Sequence, residues 1–549
     1  MNAYIARLVS NIGDRRDSTF CRLIGAHEEV RISWEEFGAR CGGFAYAYRR
    51  AELRDGDLAL LFLKHTPDLY GAFFGAMAAG CVPSFMPTAS PRQDPKIYWH
   101  SHAALLERLK PRAIVASADT FADMEAAGLD LGTTHRVLPT EVGNAPLQIS
   151  RRNEDDIALL QHSSGTTGLK KGVALSYRAI TAQIESYARA LDLSDADRIA
   201  SWLPLYHDMG LIACAILPVY FGIPITHIDP LHWVARPDLM FSAIAADRAT
   251  LAWMPNFAFE HMATVCGRNA DRYDLSTIRA WINCSEPCKP RAFDRFADAF
   301  TLSGVQREHL QCCYAMAESV FAVTQTEIGG RTRRLRANPT SLDRGARVER
   351  LDDGGIELLS CGPTIGGIEV SVHDESRQPL PEGHVGEIAL RGDFMFSGYN
   401  LDPERTAERC QDGRYFTRDM GFLMDGELYV LGRLDDMLII NGRNLYAHEV
   451  ETELSSVAGL KAGRAVAVAR HDPRTGSDAL VVIAEKTSLD PRDDRELTED
   501  VVNRLNAVFS VVPQKVVLVE EGWLVKTTSG KISRKENLIK FLESTKREQ

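Results

Sequence analysis

The 549-residue sequence lacks an uninterrupted apolar run of the length that crosses a bilayer. A transmembrane helix needs about 20 consecutive apolar residues. The most apolar stretch, residues 211–228, is broken by Pro218, Gly222 and Pro224, so we expect it to be a buried core segment. The first twenty residues have no apolar core of the kind that marks a secretory signal.

An excess of positive charge is also missing. The chain has 63 Lys and Arg against 74 Asp and Glu, which gives a formal net charge of −11. General nucleic-acid binders contact phosphates through a basic surface. We therefore expect no nucleic-acid partner, and any anionic substrate must be bound by local features of the chain.

The eleven cysteines lack the spacing of a zinc site. Cys284 with Cys288 and Cys312 with Cys313 are the close pairs, and neither has His or Cys partners at ligand spacing. We expect reduced thiols and a cytoplasmic protein. Internal repeats and low-complexity segments are not evident either, so solenoid and fibrous architectures are not expected.

What the sequence does contain is an alternation of helical and strand-like segments. Its length exceeds what one hydrophobic core normally supports, so at least two domains are expected. Helices are predicted at residues 34–53, 68–80 and 177–191, and strands at residues 58–63, 113–116 and 249–254. This alternation predicts a parallel sheet covered by helices. Short alternating runs from Gly366 onward predict antiparallel strands, and a further small α+β unit is predicted from Asp435.

A loop rich in glycine, hydroxyl and lysine side chains follows the apolar run at residues 157–160. It reads Ser163-Ser164-Gly165-Thr166-Thr167-Gly168-Leu169-Lys170-Lys171-Gly172. Glycines let backbone N–H groups approach an anion closely, while hydroxyls and lysines add donors and opposite charge. It is not a Walker A loop, because no Gly-Lys-Ser/Thr follows. Taken alone, the loop predicts either a phosphate site or a flexible linker.

Further motifs follow this loop in a particular order. They are residues 202–211 with Tyr206-His207-Asp208, then Tyr314-Ala315-Met316-Ala317-Glu318, Thr417-Arg418-Asp419, Gly432-Arg433-Leu434-Asp435 and Thr528-Ser529-Gly530-Lys531. The ordered series resembles the adenylate-forming (AMP-binding, acyl-activating) enzyme superfamily over nearly the whole chain. The resemblance implies an α/β fold. A large N-terminal domain, residues 1–434, would hold two α/β subdomains and a small β-rich subdomain, and a mobile α+β C-terminal domain would span residues 435–549.

Within this superfamily, the chain is most similar to the fatty acyl-AMP ligases. Asn256-Phe257-Ala258-Phe259 resembles their substrate-pocket segment, and Gly442-Arg443-Asn444-Leu445-Tyr446 resembles their second-domain signature. The interval from Glu318 to Cys361 is 43 positions, longer than is usual in acyl-CoA ligases. Fatty acyl-AMP ligases carry an insertion there.

The resemblance also implies ATP and Mg²⁺ as cofactors and assigns roles to residues. The nucleotide is expected on Ser164, Gly165, Thr166, Thr167, Gly168, Lys171, Ser285, Glu286, Pro287, Tyr314, Ala315, Met316, Asp419 and Arg433. Among these, Tyr314 would stack on adenine beside the turn at residues 285–287, and Asp419 would accept hydrogen bonds from the ribose. Mg²⁺ is expected on Glu318 and Thr167. The residues assigned to catalysis are Lys531, His207 and Thr167, with Lys531 reaching the α-phosphate and the carboxylate.

Several positions leave alternatives open. His207 is either a gate of the acyl channel or a core histidine whose hydrogen bonds are satisfied. The basic run at residues 331–336 is either a solvated surface or a contact with a carrier protein or domain. Lys170 and Val525 stand where the family usually has proline, and residues 83–111 depart from the family pattern, which leaves the acid undefined.

The expected reaction follows from charge. Attack of a carboxylate on the α-phosphate of ATP gives acyl-AMP and pyrophosphate, and catalysis should consist mainly of positioning and electrostatic stabilisation. The expected substrate is a fatty or other carboxylic acid, and the expected acceptor is a phosphopantetheine thiol on an acyl carrier protein. An acyl-CoA ligase is the first alternative. An amino-acid-activating enzyme using Asp208 and a catalytically inactive nucleotide-binding regulator are the others.

Overall fold

The computed structural model describes residues 1–26, 28–88, 95–162, 171–440, 443–472, 477–487, 492–509, 511–526 and 532–547. The helices are α1 (Ala3–Asp14), α2 (Trp34–Arg50), α3 (Asp68–Ala78), α4 (Pro95–Leu109), α5 (Ala118–Ala126), α6 (Tyr177–Ala190), α7 (Leu217–Phe221), α8 (Pro230–Ala235), α9 (Asp238–Asp247), α10 (Asn256–Cys266), α11 (Pro290–Phe300), α12 (Pro403–Arg409), α13 (Ala447–Leu454), α14 (Asp494–Phe509) and α15 (Arg534–Arg547).

The strands are β1 (Thr19–Ile24), β2 (Glu29–Ser33), β3 (Leu58–Phe62), β4 (Val82–Phe85), β5 (Ala113–Ala116), β6 (His135–Val137), β7 (Ile157–His162), β8 (Gly172–Ser176), β9 (Ile199–Ser201), β10 (Ile225–Ile228), β11 (Leu251–Met254), β12 (Ala280–Asn283), β13 (Leu310–Ala315), β14 (Ala322–Gln325), β15 (Arg334–Ala337), β16 (Ile356–Leu359), β17 (Ile368–His373), β18 (Gly386–Gly392), β19 (Gly398–Tyr399), β20 (Cys410–Gln411), β21 (Arg414–Met424), β22 (Glu427–Arg433), β23 (Met437–Ile440), β24 (Arg443–Tyr446), β25 (Leu460–Asp472), β26 (Ser477–Lys486) and β27 (Lys515–Val519). The helices, strands and antiparallel runs predicted from the sequence are confirmed with small differences at their ends.

The chain forms two compact units. Unit 1 comprises Met1–Thr332, Cys361–Glu369 and Arg391–Arg414, and unit 2 comprises Arg333–Ser360, Val370–Leu390 and Tyr415–Gln549. The division expected between residues 434 and 435 stays a prediction.

A large, mostly parallel sheet dominates unit 1. Its strand order is β14-β13-β12-β11-β9-β10-β1-β2, in which only the outer pairs β13–β14 and β1–β2 are antiparallel among the described strands. Its central strands are buried along their whole length, as parallel strands covered on both faces are. Trp253 and Trp281 lie at 0% exposure in this core. The Trp253 indole N–H donates to the hydroxyl of Tyr187 on α6 at 2.9 Å, which ties the helix to the sheet.

A second parallel sheet precedes it in the chain, with strand order β4-β3-β5-β6. Helix α2 begins where its sequence dictates. The Ser33 hydroxyl accepts the Glu36 N–H at 3.1 Å and the Glu36 carboxylate accepts the Ser33 N–H at 2.8 Å, so a capping box satisfies both donors. The two parallel sheets, each with its own helices, form two α/β subdomains in unit 1, as the resemblance implied.

The apolar stretch at residues 211–228 lies inside unit 1. It forms the end of a π-helix (Met209–Ile216), α7 and β10, and all of its residues except Phe221 and Pro224 are buried. The predicted buried core segment is confirmed. No helix in the described part of the chain is long and apolar enough to cross a membrane.

Unit 2 contains antiparallel strands followed by a small α+β region. Strand β18 pairs antiparallel with β21, and β21 pairs antiparallel with β22. In the C-terminal region β25 pairs antiparallel with β26, and β27 pairs parallel with β26. Helices α13 and α14 bury apolar residues against these strands, including Val450, Leu454, Val501 and Leu505. The antiparallel strands predicted from Gly366 onward are confirmed.

The long interval after Glu318 also forms structure in unit 2. Strands β15 and β16 pair antiparallel, with Leu335 opposite Leu358. Both leucines are buried in a core that also contains Phe422 and Leu431. The arginines of the basic run are exposed and contact carboxylates of their own unit, such as Arg333 with Glu427 at 3.0 Å. Residues 333–360 of the interval are therefore anchored to the β-rich part of unit 2, whereas residues 319–332 belong to unit 1.

Candidate active site

The predicted phosphate loop and the predicted catalytic lysine fall largely outside the described residues. Residues 163–170 and 527–531 are not described, so the positions expected at Ser164, Gly165, Thr166, Thr167, Gly168 and Lys531 carry no structural account. The ends of the loop are described. His162 on β7 pairs with Gly172 on β8 in an antiparallel register. The loop therefore connects two paired strands of one sheet.

Several predicted segments share one edge of the large sheet in unit 1. Neighbouring strands β13, β12, β11 and β9 run parallel. The segments containing Glu318, Ser285, Asn256 and His207 follow the carboxyl ends of these four strands in turn. In open α/β sheets, ligands bind in the crevice at this edge. Strand order thus brings together motifs that are far apart in sequence.

Glu318 lies at this edge with a tyrosine and a lysine beside it. The Tyr399 hydroxyl donates to Oε1 of Glu318 at 2.6 Å, and the Lys171 ammonium lies 5.4 Å from the centroid of the Tyr399 ring, within cation–π range. Lys171 and Glu318 are partly buried, and Tyr399 is 5% exposed. The arrangement combines a lysine, which can attract a phosphate, with a carboxylate, which can bind the metal ion of a metal-bound phosphate.

Backbone geometry fixes the turn that carries Glu318. The residue lies in a 3₁₀ turn (Ala317–Ser319) directly after β13, and its carbonyl accepts the Phe396 N–H at 2.8 Å. Val320, which ends this turn, has φ of 64°, a strained value for a β-branched residue. Such strain is typical of positions that a surrounding structure holds for function.

The residues predicted around adenine lie at the ends of β12 and β13. Tyr314 and Met316 are 8% exposed, and Ala315 ends β13. Ser285 follows β12 with φ of 68°, and the Glu286 carboxylate accepts the Phe257 N–H at the start of α10, at 3.1 Å. The structure gives Glu286 a helix-capping contact that the sequence did not indicate.

His207 is partly exposed. Its Nδ1 lies 3.9 Å from Oδ1 of Asp208, and the same Asp208 oxygen accepts the Met209 N–H at 2.7 Å. Asp208 thereby caps the π-helix at residues 209–216. The His207 side chain is 23% exposed. Its two alternatives, a gate of the acyl channel and a core histidine, stay predictions.

An aromatic cluster adjoins the predicted substrate segment. Trp202 and Trp233 stack with ring centroids 3.6 Å apart and planes at 1°. The Phe257 ring meets Trp202 edge-on at 6.0 Å, and His261 meets Trp233 edge-on at 5.7 Å. Trp202 and Trp233 are buried, whereas Phe257 is 39% exposed. Trp202 precedes His207 by five positions and Phe257 belongs to the segment 256–259, so this cluster adjoins two of the predicted motifs.

In unit 2, Asp419 and Arg433 lie opposite each other on paired strands. Arg433 Nε donates to Oδ1 of Asp419 at 3.2 Å, and the Asp419 side chain is 9% exposed while that of Arg433 is 57% exposed. The Asp419 N–H donates to the Thr417 hydroxyl at 2.9 Å. Arg418 Nε donates to both carboxylate oxygens of Asp435, the first residue of the expected C-terminal domain. A carboxylate has two oxygens that accept hydrogen bonds, so Asp419 can accept from a ligand as well as from Arg433.

Comparison with known proteins decides the family. A model of the AMP-binding enzyme family matches residues 12–400. The chain belongs to the AMP-binding enzyme family. A Caulobacter vibrioides protein provisionally named an acyl-CoA synthetase is 30% identical over 89% of this chain and 86% of its own length.

Two further relatives of this AMP-binding enzyme are named as fatty-acid ligases. The long-chain-fatty-acid–AMP ligase FadD32 of Mycolicibacterium smegmatis is 27% identical over 99% of this chain and 94% of its own length. The medium-chain-fatty-acid–[acyl-carrier-protein] ligase JamA of Moorena producens is 27% identical over 95% and 91%. The resemblance drawn from the motifs is confirmed.

Solved structures show the same fold. A structure from work on the fatty acyl-adenylate ligases of E. coli and L. pneumophila aligns with a TM-score of 0.90 over 100% of this chain and 99% of that chain, at 23% identity. The predicted fold class is confirmed, and the chain is an enzyme of the adenylate-forming type. The roles of individual residues stay predictions.

Sequence reasoning missed Tyr399 in this AMP-binding enzyme. The residue lies on β19, which is two residues long and has no alternation that would predict a strand. Its register opposite Val173 on β8 brings it to Lys171. The only signal that the sequence offered here was the pair Gly398-Tyr399. The structure shows why glycine precedes the tyrosine, since Gly398 has a φ of 131°.

Proposed function

We propose that this AMP-binding enzyme activates a fatty acid as its adenylate and transfers the acyl group to the phosphopantetheine thiol of an acyl carrier protein. In the first step a carboxylate oxygen of the acid bonds to the α-phosphorus of ATP, and the bond to the bridging oxygen breaks to release pyrophosphate. In the second step the thiol sulfur bonds to the acyl carbon, the proton leaves the thiol, and AMP departs.

One observation carries the proposal. The four segments that contain His207, Asn256, Ser285 and Glu318 follow four neighbouring parallel strands at the same edge. This arrangement supports a single ligand crevice, as expected for an open α/β sheet. Both a polar group for the nucleotide complex, Glu318, and an exposed apolar ring for an acyl chain, Phe257, lie on these segments.

The nucleotide phosphates are proposed to bind the loop ending at Lys171, with Mg²⁺ on Glu318 and Thr167. Among the described residues there is no cluster of three or more metal-ligating side chains. Mg²⁺ in nucleotide sites is usually held by one or two carboxylates together with substrate phosphates, so a single partly exposed glutamate fits this ion. When bound, Mg²⁺ would neutralise phosphate charge. Lys171 would add a second positive charge beside it.

The remaining nucleotide contacts are proposed as the family resemblance assigns them. Tyr314, Ala315, Met316 and the turn Ser285-Glu286-Pro287 would bind adenine, and Asp419 with Arg433 would bind the ribose. The buried Asp419 carboxylate supports this role, since it already accepts from Arg433 and can accept from hydroxyls as well. Lys531 would stabilise the negative charge that develops at the α-phosphate, as a compact cation on a flexible side chain.

The acid is proposed to be fatty because the predicted substrate segment presents an exposed aromatic ring. Phe257 is 39% exposed and packs edge-on against the buried Trp202, so it would supply apolar contact to an acyl chain. The Asp208 carboxylate, which an amino-acid substrate would need for its ammonium group, is engaged with the Met209 N–H. A carboxylate accepts more than one hydrogen bond, so the exchange assay, and not this contact, distinguishes fatty acids from amino acids.

The acceptor has one specific alternative. The relative named as an acyl-CoA synthetase is similar over most of this chain, whereas the relative named as an acyl-carrier-protein ligase supports the carrier. The ordered segment between Glu318 and Cys361 also supports the carrier, because an anchored insertion can hinder the rotation that exposes acyl-AMP to free CoA.

Pyrophosphate exchange across a panel of acids tests the proposal. Exchange of labelled pyrophosphate into ATP should require a medium- or long-chain fatty acid and should be absent with amino acids. Exchange that responds to amino acids alone would replace the fatty-acid assignment. No exchange with any acid, in a protein that still binds ATP, would instead indicate a nucleotide-binding regulator.

A further inference from the structure

We propose that Tyr399 is a positioning residue for the nucleotide-bound metal, holding Glu318 through its hydroxyl and Lys171 through its ring. The inference rests on the proposed function and deepens it. It identifies a residue outside the family motifs that the sequence revealed, and it predicts a defect in metal dependence without loss of a catalytic group.

The contacts of Tyr399 reach an anion and a cation at once. Its hydroxyl donates to Oε1 of Glu318 at 2.6 Å, and the Lys171 ammonium lies 5.4 Å from its ring centroid. A hydrogen bond to a charged acceptor is stronger than a neutral one. At 5% exposure, Tyr399 makes both contacts where water competes weakly.

The backbone holds this tyrosine at the site. Tyr399 pairs with Val173 on β8, and the Asn400 N–H donates to the Gly172 carbonyl at 2.7 Å. Two residues before the strand, the Phe396 N–H donates to the carbonyl of Glu318 at 2.8 Å. The segment 396–400 therefore binds the backbone of both the Glu318 turn and the end of the predicted phosphate loop.

The physical effect of the hydroxyl is to restrict the Glu318 side chain. A carboxylate has two oxygens that accept hydrogen bonds or metal ions, so Oε2 can ligate a cation while Oε1 is held. Groups that orient a metal ligand in this way typically change metal affinity by about 10–100-fold when they are removed. The ring has a separate effect, since it attracts Lys171 whether or not the hydroxyl is present.

The chain contains a matched control. Tyr220 is also 5% exposed, its hydroxyl donates to Oε1 of Glu185 at 2.6 Å, and Arg7 lies 5.8 Å from its ring centroid. These residues belong to α7, α6 and α1 and have no role in the proposed reaction. Tyr220→Phe thus removes the same kind of hydrogen bond, with the same kind of cation nearby, away from the site.

The experiment measures binding of α,β-methylene-ATP by calorimetry at increasing Mg²⁺ concentration. The wild-type chain, Tyr399→Phe, Tyr220→Phe, Glu318→Gln and the double variant Tyr399→Phe/Glu318→Gln are compared. For Tyr399→Phe, the Mg²⁺ concentration that gives half of the maximal gain in nucleotide affinity should rise about tenfold. Tyr220→Phe should match the wild type, and the double variant should match Glu318→Gln, because Tyr399 acts through Glu318.

Two results would overturn the inference. One is a Mg²⁺ dependence of Tyr399→Phe that equals that of Tyr220→Phe, and the other is a double variant whose defect is the product of the two single defects. Tyr399→Leu keeps the test decisive if the hydroxyl effect is small. That variant also removes the ring, and it should weaken nucleotide binding even without Mg²⁺, since Lys171 loses its contact. Binding does not depend on turnover, so an absence of exchange would contradict the proposed function alone.

Discussion

Acid should destabilise this enzyme through a buried histidine that is neutral in the folded state. His227 on β10 is fully buried, and its Nε2 lies 3.0 Å from the Leu203 carbonyl, which can only accept. Nε2 therefore carries the proton, and Nδ1 accepts from the Tyr70 hydroxyl at 2.9 Å. His65 in turn lies with Nε2 3.0 Å from the His227 carbonyl. Both nitrogens of the neutral ring are hydrogen-bonded, one to a carbonyl and one to a hydroxyl.

The direction of the pH effect follows from the pKa. Burial, together with nearby His65, holds the pKa of His227 well below its usual value. Burial also lowers the pKa of His65, although Asp229 opposes this. The unfolded chain takes up these protons near pH 6.5. Stability is therefore fully present above that pH and falls as the pH decreases, because the unfolded state binds more protons. For a ring that stays neutral, the loss between pH 7.5 and pH 5 is about 2 kcal/mol.

A glutamine at this position isolates the effect. Its amide offers one acceptor and one donor group but does not titrate, so His227→Gln should be less stable than the wild type at pH 7.5. The difference in free energy of unfolding between the two proteins should shrink by about 2 kcal/mol at pH 5. Urea unfolding at half-unit pH steps measures it. Parallel curves for the two proteins between pH 7.5 and 5 would refute the reasoning.

Three further predictions concern the reaction. Lys531→Ala should lower the rate of acyl-AMP formation about 100-fold or more while ATP binding and folding persist, with the exposed Lys535→Ala on α15 as control; near-normal exchange would remove Lys531 from the mechanism. Glu318→Gln should impair exchange, and raised Mg²⁺ should partly restore it; indifference to Mg²⁺ would place Glu318 outside the metal site. Shortening residues 329–355 should raise acyl-CoA formation relative to acyl-AMP formation, and it should also lower the melting temperature because it removes Leu335 from a buried core. An unchanged product ratio in folded protein would contradict the proposal that this segment hinders the rotation.

Much of the fold was predictable because local patterns agreed with it. The helix predicted at residues 34–53 begins at Trp34 as expected, and the apolar runs that became β3 and β5 carried the signal of buried parallel strands. The prolines and glycine inside residues 211–228 correctly indicated a core segment. The helices and strands with a strong local sequence pattern were therefore the ones that could be predicted.

What could not be predicted depends on pairing between distant segments. The contact of Tyr399 with Glu318 spans 81 positions and needs a strand of two residues. Trp202 lies on a loop and Trp233 on a short helix, so no sequence periodicity predicts that the two rings stack. The assignment of residues 333–360 to the same unit as residues 415–549 likewise follows from tertiary packing. Family motifs indicated the site, whereas its supporting contacts required the structure.

The most direct test is a time course of product formation with ATP, Mg²⁺ and a fatty acid, in the presence of either CoA or a carrier protein bearing its phosphopantetheine arm. Acyl-AMP and pyrophosphate should form in equal amounts without any acceptor. The carrier should then be acylated much faster than CoA. If the intact enzyme makes acyl-CoA as fast as it makes acyl-AMP, the acyl-AMP ligase account is wrong and the protein is an acyl-CoA ligase.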